Sequence, residues 1–176
     1  MIVIWIVLGL VVLMGLAVFV GAPYVPSHRR EVRRAFTNLR PLTNNDVVVD
    51  LGSGDGIVLR QAVALGAARA IGYEINPLLV WLSLVISARY RAAISVRTAN
   101  MWHIDPPEGV TLVYVFGVGR DMRRLAVLLD RWATQAGRDI ECIIYGHEVP
   151  NATLVRQEGA HRLYRFIPLQ QEEAQV

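Results

Sequence analysis

The sequence predicts an α/β domain, a doubly wound and mostly parallel sheet, preceded by one transmembrane helix. Three observations carry that expectation. From Val47 onward, strand-length segments, the first a short β-branched run, alternate with helix-length segments, and strands separated by single helices pair in parallel. A glycine-rich stretch follows the first of these directly, at the carboxyl end of a strand, where open α/β sheets bind ligands. Residues 2–20 are all apolar or glycine, and no charge occurs before Arg29.

At the helical rise, residues 2–20 span roughly 28 Å, close to the ~30 Å hydrocarbon core of a bilayer. A cleaved signal peptide is the rival reading, but it needs a basic leader and a shorter apolar core; no basic residue precedes this run. The expected organisation is therefore an anchor over 1–25, a catalytic domain over 26–170 and a frayed tail over 171–176. Pro23 and Pro26 end the anchor. Ser27 caps a helix through about Leu39, with Glu31 in its early turns. Residues 41–46 form a loop.

The first strand is 47–51, the loop 52–56, and a helix over 57–65 ends at Gly66. A second strand covers 69–73. Pro77, suited to a first helical turn, opens a helix to about Arg91. Strands follow at 94–98 and 111–116, a helix at 121–135, and a fifth strand at 140–145. Val155 and residues 163–167 suggest a closing strand pair.

Charge places the domain relative to the bilayer. Arg29, Arg30, Arg33, Arg34 and Arg40 follow the apolar run against a lone Glu31, and basic flanks stay on the cytoplasmic side. Arg29, Arg30, Arg33 and Arg34 recur at helical spacing and suit anionic lipid headgroups. They supply much of the formal net charge of +3, and no nucleic-acid recognition motif accompanies them. All 18 basic residues are arginine, which base composition explains more simply than mechanism. The single cysteine, Cys142, cannot form an intrachain disulfide and reads as an apolar core residue. His28, His103, His147 and His161 lack metal-ligand spacing, so no metal is expected.

The strongest local signal is Asp50-Leu51-Gly52-Ser53-Gly54-Asp55-Gly56. Glycines at alternate positions allow a tight turn and close backbone approach to a ligand. A nicotinamide-binding loop would place its third glycine at position 57, which is Ile57. An acid two residues before the first glycine suits a cationic amino group better than a pyrophosphate. The second signal, Gly72-Tyr73-Glu74-Ile75-Asn76-Pro77, puts a carboxylate at the next strand end, where it can accept from both ribose hydroxyls of a nucleoside. After the third strand comes Ala99-Asn100-Met101-Trp102; the Asn100 carbonyl can accept from an adenine amino group. Met101 and Trp102 read equally well as core. Asp105-Pro106-Pro107 precedes the fourth strand and reads as a turn.

Taken in order, these segments resemble a known family. The D-x-G-x-G-x-G loop resembles motif I of class I, Rossmann-like methyltransferases. Tyr24-Val25-Pro26, the loop, Glu74 with Asn76-Pro77 and Leu79-Val80-Trp81, Met101-Trp102, and Val115-Phe116-Gly117-Val118 are together similar to single-pass, membrane-anchored protein lysine methyltransferases. Mitochondrial members of that family modify the ATP synthase c-subunit and the adenine nucleotide translocase. The resemblance covers roughly residues 20–150 and implies S-adenosyl-L-methionine as cofactor. Position within that pattern assigns Asp50 to the methionine amino group, Gly52 and Gly54 to the cofactor's backbone, Glu74 to the ribose, Asn100 to adenine, and Phe116 and Gly117 to the methyl group, with Ser53, Gly56, Ile75 and Met101 also expected at the cofactor. Asn100 departs from the family's usual aspartate. Residues 145–150 echo its later segment only loosely, and there Glu148 and His147 are the candidates for orienting or deprotonating an amine. The expected activity is protein-lysine N-methylation of a membrane or membrane-proximal protein. Methylation of a lipid or quinone-like molecule, and cofactor binding without catalysis, are the alternatives.

Overall fold

The computed structural model describes residues 28–117 and 119–169, together with Ile4, Trp5 and Gly9. The expected anchor over 1–25 and the tail over 171–176 fall almost entirely outside these residues. Among the described residues no helix is long and apolar enough to cross a membrane.

One seven-stranded sheet organises the chain, with strands β1 (Val47–Leu51), β2 (Arg69–Glu74), β3 (Ile94–Thr98), β4 (Leu112–Phe116), β5 (Ile140–Tyr145), β6 (Thr153–Glu158) and β7 (His161–Phe166). Their spatial order is β3-β2-β1-β4-β5-β7-β6. The first five run parallel; only β7 opposes its neighbours, β5 and β6. The order reverses between β1 and β4, so the ligand crevice of a doubly wound sheet lies at their carboxyl ends.

Period-two alternation divides the strands between two cores. Val49, Leu51, Ile71, Val113, Val115 and Ile144 face one way, onto α4 (Met122–Ala136). That helix buries Leu125, Leu128, Leu129, Trp132 and Ala133, an i, i+3, i+4, i+7 stripe. Val48, Ala70, Val96, Leu112, Tyr114 and Ile143 face the other way. There they meet α1 (Arg29–Arg34), α2 (Ile57–Ala64) and α3 (Pro77–Ile86).

Helix ends differ from expectation in two places. After α1 the chain widens into one π turn, Ala35–Leu39, closed by Arg40 N–H donating to the Ala35 carbonyl at 2.9 Å. Thr37 Oγ1 also donates back to the Arg33 carbonyl at 3.0 Å, a bond that competes with regular helix geometry. At the start of α1, His28 holds the cap position without a side-chain bond. The second difference is α3, which stops at Ile86 instead of reaching Arg91, and a separate 3₁₀ turn, Ala88–Tyr90, follows. Ser87 between them is buried, and its hydroxyl accepts from Arg60.

The amino edge of the sheet is braced by charge. Arg40 donates to both oxygens of buried Asp46, at 2.7 and 3.0 Å, and to Glu141 of β5 at 2.7 Å. Burial alone would raise the Asp46 pKa, but hydrogen bonds from Arg40, Thr43 and Thr111 outweigh it and hold the carboxyl down at about 2. This network fixes β1 at the edge opposite the glycine loop.

Candidate functional site

The glycine loop is held by backbone bonds before any ligand is considered. Gly52 and Ser53 N–H both donate to the Tyr73 carbonyl, at 2.8 and 3.1 Å. Gly52, Gly54 and Gly56 all have positive φ, a conformation that glycine adopts without a Cβ penalty. A Cβ on Gly52 would meet nothing within 4 Å, whereas one on Gly56 would strike Ser83 of α3. The first glycine is thus open above the crevice and the third is a packing contact.

Glu74 ties the loop to the next strand. The Gly54 N–H donates to its Oε2 and the Asn76 N–H to its Oε1, both at 2.9 Å, and the residue is 8% exposed. Each oxygen keeps a further lone pair, so the carboxylate can brace the loop and still accept two hydroxyls. Asn76 Oδ1 caps α3 by accepting from the Leu78 N–H.

Asp50 points to the same side of the sheet as Glu74. It is 3% exposed, and among the described residues no group donates to its carboxylate. Burial, then the charges of Glu74 and Asp55, raise its pKa well above the ordinary value. A buried acid beside two others is a site for a positive charge. Asp55 is already matched: Arg60 pairs with its carboxylate at 3.3 Å and also donates to its carbonyl.

The other expected residues are placed as follows. Ile75 is 40% exposed beside Glu74. Asn100 stands after β3, next to the strand end of Glu74, since Ala99 N–H donates to the Glu74 carbonyl. Its Oδ1 accepts from the Trp102 N–H at 3.1 Å, capping a 3₁₀ turn, Met101–His103. Met101 and Trp102 pack partly buried against the α4 core, and Arg124 lies over the Trp102 ring at 4.4 Å. Gly117 is buried against Met122. His147 lies against Gly119. Glu148 is 80% exposed and pairs with Arg162 at 3.4 Å. Among the described residues, no group of three or more His, Cys, Asp or Glu side chains could hold a metal. Cys142 is fully buried, which pushes its thiol pKa up.

Several contacts at the site carry no signal of their own in the sequence. Phe116, exposed at the end of β4, stacks on Tyr145 at the end of β5, with centroids 5.0 Å apart and planes 19° from parallel. Tyr145 meets the His161 ring edge-on at 4.9 Å, and His161 in turn hydrogen-bonds the Tyr114 hydroxyl at 3.0 Å. The Arg60 clamp on Asp55 is equally silent. Gly72 is different. It makes room for the loop, because a Cβ there would lie 2.6 Å from Ser53 Oγ and 2.8 Å from Leu59 Cδ1. A glycine inside a strand signals such an approach, so its role was detectable.

No protein-family model matches the chain. The lysine N-methyltransferase of the ATP synthase C-subunit from Xenopus laevis is 34% identical over 122 residues, 68% of this chain and 52% of that protein. The adenine nucleotide translocase lysine N-methyltransferase of Mus musculus is 35% identical over 85 residues, 47% of this chain and 36% of that protein. The chain thus spans about half the length, or less, of these curated relatives. Among solved structures, an RNA methyltransferase of Salinibacter ruber in complex with S-adenosyl-L-homocysteine superposes with a TM-score of 0.70 at 22% identity. The match covers 85% of this chain and 97% of that one, and at that identity it speaks to the fold. The chain has the class I methyltransferase fold and is a homologue of protein-lysine N-methyltransferases.

Proposed function

We propose that the chain is an S-adenosyl-L-methionine-dependent protein-lysine N-methyltransferase acting on a membrane or membrane-proximal protein. The observation that carries this reading is the Glu74 clamp: one buried carboxylate binds the glycine loop at 2.9 Å while unmatched Asp50 lies beside it. A nucleoside carrying an ammonium tail satisfies both acids. Similarity to lysine N-methyltransferases supports lysine as the acceptor. Residues 1–25 serve as the anchor, the domain faces the cytoplasm, and Arg29, Arg30, Arg33 and Arg34 meet anionic headgroups.

When bound, the cofactor supplies an electrophilic methyl group. This chain's residues bind and align. Asp50 takes the amino group, Gly52 and Gly54 lie against the tail, Glu74 accepts the ribose hydroxyls, and Ile75, Asn100 and Met101 border adenine. Phe116 and Gly117 flank the reacting centre. Alignment supplies much of the acceleration in such a displacement. The amine must lose its proton before it attacks, and an aromatic wall favours the neutral form by excluding water. The Phe116–Tyr145 pair provides that wall. His147, beside Gly119, and Glu148 are the candidates for receiving the proton.

Methyl-labelled cofactor incubated with the full chain and membrane fractions tests the proposal. Label on a protein band, mapped to lysine by mass spectrometry, is the expected result. Label in the lipid extract overturns the choice of acceptor, and binding without label overturns catalysis.

A further inference from the structure

Helix α3 is built inside out. Of its ten residues only Val80 and Ser83 are buried, while Leu78, Trp81, Leu82, Leu84, Val85 and Ile86 are between 37% and 64% exposed. A surface helix of a globular domain normally turns polar residues outward. Here the sheet-facing stripe runs Val80, Ser83 and then Ser87 past the helix end, and the Ser83 hydroxyl has no partner among the described residues. The outer face is a contiguous apolar patch of the kind that marks an interaction surface.

Charge indicates what covers it. No acidic residue occurs from Ile75 to Ile104, whereas Arg89, Arg91 and Arg97 do. Arg89 and Arg91 follow the carboxyl end of α3, and Arg89 lies over the Tyr90 ring at 4.7 Å. Apolar side chains, an outward tryptophan and an arginine–tyrosine border together match a helix lying in an anionic bilayer interface. Chain geometry agrees. The apolar run over residues 2–20 enters the described domain at α1, whose arginines 29, 30 and 33 are exposed, and α1 packs on the same face of the sheet as α3.

We propose that α3 lies in the plane of an anionic membrane, with its exposed face against acyl chains and Arg89 and Arg91 at the headgroups. Glu74 ends the strand that leads into α3, so the crevice then opens at the bilayer surface. This inference stands on the fold alone and does not depend on methyl transfer.

The test uses the full chain in vesicles of phosphatidylcholine and phosphatidylglycerol. A nitroxide is attached at Trp81→Cys or Val85→Cys, with Val127→Cys as control, since Val127 is 70% exposed on α4 across the sheet. Cys142 is buried and stays unlabelled. At positions 81 and 85 the ratio of collisions with oxygen to collisions with a water-soluble nickel chelate should be several-fold higher than at 127. Equal ratios overturn the proposal. So does protection from both reagents, in vesicles and in detergent alike, because then the N-terminal segment or a second copy covers the face. Adding Leu82→Glu and Val85→Glu to the Trp81→Cys chain should return its ratio to the control value, with the thermal melt showing that the fold persists. A ratio that the two charges leave unmoved also overturns it.

Discussion

Replacing Glu74 by glutamine keeps the side chain's length and removes its charge. Each oxygen of Glu74 now accepts one backbone N–H at 2.9 Å, from Gly54 and from Asn76. Glutamine offers one oxygen, so one of those donors must face an amide NH₂. Leaving a buried donor unmatched costs about 1–3 kcal/mol, and stability should fall by that amount. The effect on binding is larger. Two ribose hydroxyls donating to a carboxylate make charge-assisted bonds, about twice as strong as neutral ones. Exchanging that pair for one neutral acceptor loses about 3 kcal/mol, or roughly 100-fold in affinity. Isothermal titration of S-adenosylhomocysteine into the full chain in detergent measures it, with a thermal melt alongside. A folded Glu74→Gln variant that binds within a few-fold of the parent would refute the assignment of the ribose site.

Gly72→Ala should destabilise by about 1–3 kcal/mol through overpacking, since its methyl would meet Ser53 and Leu59 inside 3 Å; an unchanged denaturant midpoint would contradict the close approach. Asp46 contributes about 2 kcal/mol at pH values above its unfolded pKa of 3.8, because its folded pKa is depressed to about 2. That stability should drain away as pH falls through this window, and Arg40→Met should abolish most of the pH dependence. Asp50 has the opposite sign: its raised pKa means that the folded chain holds the proton more tightly, so stability falls as pH rises towards the folded value. A bound ammonium group reverses that shift. Cofactor binding should therefore release a proton and tighten with rising pH, read as a binding enthalpy that depends on buffer ionisation. Buffer-independent enthalpies would mean that Asp50 does not meet the amino group.

The strand pattern was legible because the central strands are largely buried on both faces, and such strands read as short, mostly apolar runs. Helix ends were less so. α3 ends at Ser87, whose buried hydroxyl accepts from Arg60, a residue 27 positions away, and no local propensity encodes that contact. The π turn after α1 has the same character: Phe36 and Leu39 are both buried against the sheet, and their spacing alone reads as an ordinary helix. Inverted burial on α3 was hidden for a different reason, because an apolar helix facing outward has the same composition as one facing inward.

Within the candidate site, the glycine-loop half and the aromatic half differ in how sequence can express them. Backbone constraints shape the loop half: three positive-φ glycines, a strand-end acid and a cap at Asn76 each demand a residue type at a fixed spacing. The aromatic half arises from register. Phe116 meets Tyr145 only because β4 and β5 align those two residues, and Tyr145 meets His161 only because β7 returns antiparallel with that pairing. Aromatic residues at strand ends are common, so nothing in their spacing separated this wall from ordinary packing. The same logic explains why Glu148 stood out in the sequence although its carboxylate extends to Arg162 at 80% exposure: an acid after a fifth strand is visible as a letter, whereas the direction of its side chain is set by a hairpin that closes fourteen residues later.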